Sequence, residues 1–265
     1  MISQKERDAL ELFSFIFGAC IGSFLNVLIL RLPLNESLIT ARSHCPKCNH
    51  IIYWYHNIPL FSYLFLRAKC SYCKEKISFV YFLVEFLSGI ITLALFLKLG
   101  ISQEFIFMSL LSYVLITLSF IDLKYKAVPD YLLLIVLIIS LIATNLSLIE
   151  AFKNAFLFAG AFVLLNFIIT FYIQNIKSRI LKDKSLKTQE ALGEGDIPII
   201  AMFGIILGIN GGLIAIFLAA IFAIIPAIYL NFVKKDIQTP FIPYLVLGFL
   251  TEYFFDLETI IKVFY

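Results

Sequence analysis

Charge is what this sequence has least of. Asp, Glu, Lys and Arg make up 15% of its 265 residues, against 61% hydrophobic residues and a mean hydropathy of +0.96. A soluble domain of this length does not need so much apolar sequence. Runs near 20 residues suffice to cross about 30 Å of hydrocarbon, and lipid demands internally paired backbone, so they are expected as helices. The alternation that marks barrel strands is missing from them. The net charge of +3 is too small to indicate nucleic acid, so none is expected as a partner. No small-residue cleavage site follows MISQKERDALELF, so the first apolar run is read as a retained helix, not a signal peptide. There is no solenoid repeat, no low-complexity tract and no Gly-rich strand–turn–helix fingerprint for a nucleotide cofactor.

What is present is a series of apolar runs. They predict helices at roughly 10–30, 78–97, 105–122, 131–149, 155–174, 197–209, 212–232 and 241–255, with a tight turn at Asn210-Gly211-Gly212. The expected architecture is all-α: a polytopic membrane bundle of about eight transmembrane helices. Lys and Arg set its orientation. The 31–77 segment carries Arg31, Arg42, Lys47, Arg67, Lys69, Lys74 and Lys76, and the 175–195 loop carries Lys177, Arg179, Lys182, Lys184 and Lys187. With Lys124, Lys126, Lys234 and Lys235, one side holds 16 of the 21 basic residues and is expected to be cytosolic. An even helix count then leaves both termini on the other side.

Cysteine is sparse but patterned. Cys45-Pro-Lys-Cys48 and Cys70-Ser-Tyr-Cys73 sit in the large polar loop with 21 residues between the pairs. Two Cys-x-x-Cys turns present four thiolates well to a tetrahedral zinc. The segment is too short for a large core, so a metal staple makes physical sense. Two disulfides or four free thiols are the alternatives, and a reducing compartment disfavours the first. Four protein ligands leave no open position, so the zinc would be structural. Cys20, alone in the first helix, is expected as a packing residue.

Carboxylates are costly in or beside membrane helices. Asp122 closes the third predicted helix and Asp196, in Gly193-Glu-Gly195-Asp196, opens the sixth. Two crossings separate them, so topology puts both at one depth on the cytosolic face. Like charges resist double ionisation, so a close pair holds one proton: one member can activate water while the other polarises a carbonyl. Gly193 and Gly195 would admit an extended substrate closely. The competing reading makes Asp122 a loop residue and Asp196 an N-cap. Asp130, after Pro129, reads as an N-cap. Glu85, about two turns into the second helix, reads equally as a buried structural partner or a substrate contact. Gly22, Ser23 and Asn26 form a small polar stripe suited to close helix packing.

Taken in order, these residues resemble the type IV prepilin peptidases, membrane aspartyl proteases of the Gly-x-Gly-Asp kind. The resemblance runs from Gly18-Ala-Cys-Ile-Gly-Ser-Phe-Leu-Asn-Val-Leu-Ile-Leu-Arg-Leu-Pro33 through both Cys pairs and Asn57-Ile-Pro-Leu-Phe-Ser62. It continues over Val84-Glu85, Asp122, Pro129-Asp130, Gly193-Glu-Gly-Asp196 and Pro240-Phe241 with Pro243. It implies catalysis by Asp122 and Asp196, zinc on Cys45, Cys48, Cys70 and Cys73, and support or substrate contacts from Glu85, Asp130, Gly193 and Gly195. It also implies cleavage of the leader from prepilin or pseudopilin precursors at the cytosolic face of the bacterial inner membrane, with N-methylation of the new N-terminus from S-adenosylmethionine. Three departures stand out: Pro198 where the family often has Lys, Phe82 for a frequent Pro, and Ile242 for a frequent Gly. The expected organisation is an N-terminal helix in 1–30, a cytosolic zinc-binding subdomain with the four cysteines in 31–77 and an embedded protease domain in 78–265, with membrane lipid as a further partner. The rivals are a non-enzymatic assembly factor docking through a zinc ribbon and a proton-coupled transporter using Asp122, Glu85 and Asp196.

Overall fold

The computed structural model describes residues 4–38, 43–180, 187, 193–229 and 240–264. Arg42, Lys182, Lys184, Lys234, Lys235 and the predicted helix end at 230–232 lie outside the described residues. The described chain is helical and contains no strand, only isolated bridges between His44 and Ile51 and between Lys69 and Lys76. It divides into two compact units, residues 1–121 and 122–265.

The first unit is built on α1 (Gln4–Arg31) and α3 (Phe79–Leu99), which pack along each other. Their seam is made by small residues, as expected where lipid gives no hydrophobic drive for helices to associate. A Cβ on Gly18 would stand 2.4 Å from Thr92 Oγ1, and one on Gly22 would stand 2.7 Å from the Glu85 Cα. Asn26 Nδ2 donates to the Tyr81 carbonyl at 3.0 Å. The polar stripe is thus a packing surface. Cys20 is exposed, against expectation; Ala19 and Gly22 face the seam instead. Ser78 caps α3 by accepting from the Val80 N–H at 3.3 Å. Then α4 (Gln103–Tyr125) begins, and Thr92 meets Tyr113 across α3 and α4 at 2.7 Å. Between α1 and α3 lie the Cys-bearing segment and the short α2 (Phe61–Phe65).

The second unit starts with the last turn of α4 and adds α5 (Asp130–Ala143), α6 (Leu148–Phe171), a π-helical turn (Tyr172–Lys177), α7 (Ser178–Ile180), α8 (Asp196–Tyr229), α9 (Ile242–Phe255) and α10 (Leu257–Phe264). The helix predicted over 131–149 stops at Ala143, and the next starts at Leu148, not 155. The reason is an N-cap: Ser147 Oγ accepts from the Glu150 N–H at 3.3 Å, and its hydroxyl donates to the Glu150 carboxylate at 3.0 Å. α8 packs on α5, α6 and α9. A Cβ on Gly248 of α9 would stand 2.3 Å from the Ala215 carbonyl oxygen, and one on Gly212 would meet the Phe158 ring at 2.6 Å. Helical geometry in α8 breaks at Gly208 (φ 72, ψ −167), a conformation costly to a side chain, and not at Asn210–Gly212.

Among the described residues, five helices are long and apolar enough to cross a membrane by length and composition. The apolar helices α5 and α9 have 14 residues each and rise only about 21 Å. An exact count of eight spans therefore does not follow.

Candidate active site and metal centre

Three helix ends of the second unit converge on two carboxylates. Asp122 lies in the last turn of α4, where its carbonyl accepts from the Lys126 N–H at 2.9 Å, so it is a helix residue and not a loop residue. Asp196 is the first residue of α8, one position inside the cap it was alternatively read as. Only 8% of Asp122 and 5% of Asp196 is exposed, burial that carboxylates rarely show without a task or a partner. The two helix ends meet at Ile242, whose N–H reaches Asp122 and whose Cδ1 lies 4.0 Å from the Cβ position of Gly195 beside Asp196.

The sequence folds this way for local reasons. A turn leads into α8: the Asp196 N–H donates to the Gly193 carbonyl at 3.1 Å, and the Ile197 N–H to Glu194 at 3.3 Å. The Asp196 carboxylate folds back over Gly193, 3.5 Å from where a Cβ would stand. Gly195 lets the turn press on the α4–α5 connection, since its Cβ would be 3.0 Å from Val128 Cγ2. Pro198 falls in the first turn of α8, where a missing N–H breaks no intrahelical bond.

Asp122 has a partner that sequence reasoning missed. The Ile242 backbone N–H donates to Asp122 Oδ2 at 3.2 Å. Ile242 opens α9, so Asp122 satisfies one of the orphan donors at that helix start and sits at its positive dipole end. Tyr244 is also within electrostatic reach of Asp122. The motif Pro240-Phe241-Ile242-Pro243 was the available signal, since a Pro in the first turn marks a helix start. An N–H contact uses only backbone, so Ile in place of Gly keeps it. Asp130 is exposed and is the first residue of α5, while Pro129 holds the N-cap position predicted for it.

In the first unit, Glu85 is 8% exposed and accepts the Leu60 N–H at 2.8 Å. Leu60 has φ 64 and ψ −50, and the Phe61 N–H reaches back to the Pro59 carbonyl at 2.7 Å, a strained γ-turn. Glu85 thus pins a strained bend of the polar segment to α3.

The four cysteines meet in the same unit. Each Cys-x-x-Cys is a turn closed the same way: the Cys45 N–H donates to His50 at 3.0 Å and the Cys70 N–H to Glu75 at 2.8 Å. Asn49 and Lys74, each just past its pair, take left-handed φ values of 54° and 59°. All four Sγ atoms lie within 4.8 Å of one another, and Cys45 Sγ is 3.8 Å from Cys73 Sγ. Zn–S bonds of about 2.3 Å in a tetrahedron put sulfurs about 3.8 Å apart, so the donor set fits a tetrahedral thiophilic metal. All four thiols are free. The backbone N–H groups of Cys73 and Tyr72 hold the Cys70 thiol down at about 7. At Cys73 the lowering by the Glu75 backbone is outweighed by desolvation and the neighbouring thiols, which raise it to about 11, so a metal must displace protons from the cluster to bind.

Fold and site together define a helical membrane protein with a buried aspartate pair and a separate tetrathiolate cluster. Residues 16–99 match the Bacterial Peptidase A24 N-terminal domain, and residues 109–228 match the Type IV leader peptidase family. The chain belongs to the type IV leader peptidase family. It is 32% identical to a prepilin leader peptidase/N-methyltransferase of Aeromonas hydrophila, over 88% of this chain and 87% of that protein. It is likewise 32% identical to one of Legionella pneumophila, over 90% of this chain and 89% of the relative. With one of Myxococcus xanthus the identity is 36%, over 74% of this chain but only 55% of the relative's length. No solved structure gives a significant match.

Proposed function

We propose that this chain is a bifunctional membrane endopeptidase. It removes the short leader from type IV prepilin or pseudopilin precursors at the cytosolic face of the bacterial inner membrane, and then N-methylates the exposed N-terminal residue. Asp122 and Asp196 are the catalytic pair. The observation that carries this reading is that two nearly buried carboxylates, 74 positions apart in sequence, lie at helix ends that meet at Ile242, whose N–H bonds Asp122 and whose Cδ1 lies 4.0 Å from the Cβ position of Gly195. Membership of a leader peptidase family supports it and disfavours both the assembly-factor and the transporter readings.

The ionised member of the pair takes a proton from water, and the resulting hydroxide attacks the scissile carbonyl. The protonated member donates a hydrogen bond to the carbonyl oxygen as it becomes an oxyanion. The proton then passes to the departing amine. The Ile242 N–H fixes one Asp122 oxygen and leaves the other for chemistry. Gly193 keeps the approach to the Asp196 carboxylate free of a side chain, whereas Gly195 serves packing against Val128 rather than substrate. A pilin's apolar N-terminal segment can lie among the enzyme's helices with its polar leader at the pair.

Cys45, Cys48, Cys70 and Cys73 would hold one zinc, which supplies a structural cross-link and no step of peptide hydrolysis. S-adenosylmethionine would be the methyl donor. Among the described residues there is no strand to build a βαβ cradle for it, and no residue is assigned to it. The proposed organisation is a helix in 1–30, the zinc subdomain in 31–77 and the protease domain in 78–265. The test is incubation of purified protein with a prepilin-like substrate and mass analysis of the product. A mature N-terminus carrying an added methyl group is expected when donor is supplied. An uncut precursor overturns the reading.

A further inference from the structure

The polar segment before α3 carries apolar residues that the protein itself does not cover. Phe61, Leu64 and Phe65 of α2 are 66%, 63% and 89% exposed. The turn at Trp54–Asn57 packs beside α2, and its Trp54 is 80% exposed. Such residues in a loop expected to be aqueous need an occupant.

The position of α2 identifies it. Tyr63, on the inner side of α2, packs on Phe79 and Phe82 with ring centroids 6.3 and 5.4 Å apart. Leu60, just before α2, is bonded to Glu85, the seventh residue of α3. A glutamate on a helix leans toward its N-terminus, so these contacts hold α2 level with the first two turns of α3. Those turns belong to a membrane span. α2 therefore lies at the depth of headgroups and upper acyl chains, the depth at which amphipathic segments bury about 5–10 Å of their apolar side. The charge beside it matches. Arg67, Lys69, Lys74 and Lys76 are all exposed with only Glu75 among them, a cationic cluster suited to acidic lipid headgroups. Trp favours this same interface.

We propose that α2 is an interfacial wedge that inserts Phe61, Leu64 and Phe65 into an anionic leaflet and so fastens the cysteine-bearing subdomain to the membrane surface. The proposal rests on the membrane reading of α3 and not on the peptidase reading of Asp122 and Asp196.

The chain has a single tryptophan, so its fluorescence reports on Trp54 alone. Full-length protein, with metal bound, is reconstituted into phosphatidylglycerol vesicles whose acyl chains carry bromine either near the glycerol or near the chain end. Shallow bromine should quench Trp54 at least about twofold more than deep bromine, and aqueous acrylamide should quench it little. Replacing phosphatidylglycerol by phosphatidylcholine should weaken the bromine quenching. The variant Phe65→Ser, at a side chain that touches little of the protein, should raise acrylamide quenching. Free quenching of wild type by acrylamide overturns the wedge, because the turn then stands in water. Resistance to both acrylamide and bromolipid overturns it too, because a protein partner or second copy then covers the face. Equal bromine quenching in the two lipids overturns the electrostatic half.

Discussion

A carboxylate at the end of a membrane helix needs a reason to be there, and for Asp122 and Asp196 the reason is each other and the helix starts around them. Asp122 takes an N–H from the first residue of α9, and Asp196 opens α8, so each sits at a positive dipole end. Neutral isosteres keep these contacts but remove the proton that the proposed mechanism passes between water, the pair and the leaving amine. Asp122→Asn and Asp196→Asn are therefore each expected to lower leader cleavage by at least about 10²–10⁴-fold while the protein still inserts and keeps its thermal stability. Cleavage of a prepilin-like substrate followed on gels and by mass checks this; near-normal turnover in either variant would remove the pair from the mechanism.

Among the elements, the glycines separate packing from accident. Gly248 of α9 lies where a Cβ would fall 2.3 Å from the Ala215 backbone oxygen, so α8 and α9 must part to admit a methyl group. Gly248→Ala is expected to cost about 1–3 kcal/mol through overpacking, visible as a lower melting temperature in detergent. Gly160 of α6 is the control, since nothing lies within 4 Å of its Cβ position. Gly160→Ala should be neutral or slightly stabilising, because Ala is the better helix former. If both variants melt alike, close approach of α8 to α9 is not what holds them. The two cysteine turns make a comparable unit. Cys48→Ser should drop bound zinc from one per chain toward none and open the surrounding segment to protease, because metal binding and folding are coupled. A fully metal-free wild type purified under reduction would exclude the zinc assignment.

At the scale of the whole molecule the issue is the order of its two proposed reactions. The amine to be methylated is locked in the scissile peptide bond until the leader leaves. Asp196→Asn protein should thus leave a full precursor unmethylated but still methylate a supplied mature peptide, and wild type should do both. Methylation of intact precursor by the variant would break the coupling. Absence of methyl transfer from active wild-type protease would leave a peptidase only, with the aspartate pair untouched because it rests on different residues.

Composition by itself determined that the chain is helical and membrane-embedded, because lipid leaves few ways to pair a backbone. Spacing determined the four-thiol cluster, because short Cys-x-x-Cys turns are local and present sulfur without help from the rest of the fold. Asp122 and Asp196 were legible as rarities at the ends of apolar runs. Hydropathy ran across the Ala143–Leu148 interruption because Leu146, Leu148 and Ile149 continue the apolar run, although Thr144-Asn145 and Ser147-x-x-Glu150 were there to be read. Nor could it choose among glycines: Gly208 bends the chain while Gly212 packs on Phe158, and only neighbours decide which does which. The Ile242 N–H on Asp122 and the Leu60 N–H on Glu85 were decided by tertiary structure alone. A backbone N–H has no sequence signature, and its partner lies 120 residues away in the first case and 25 in the second.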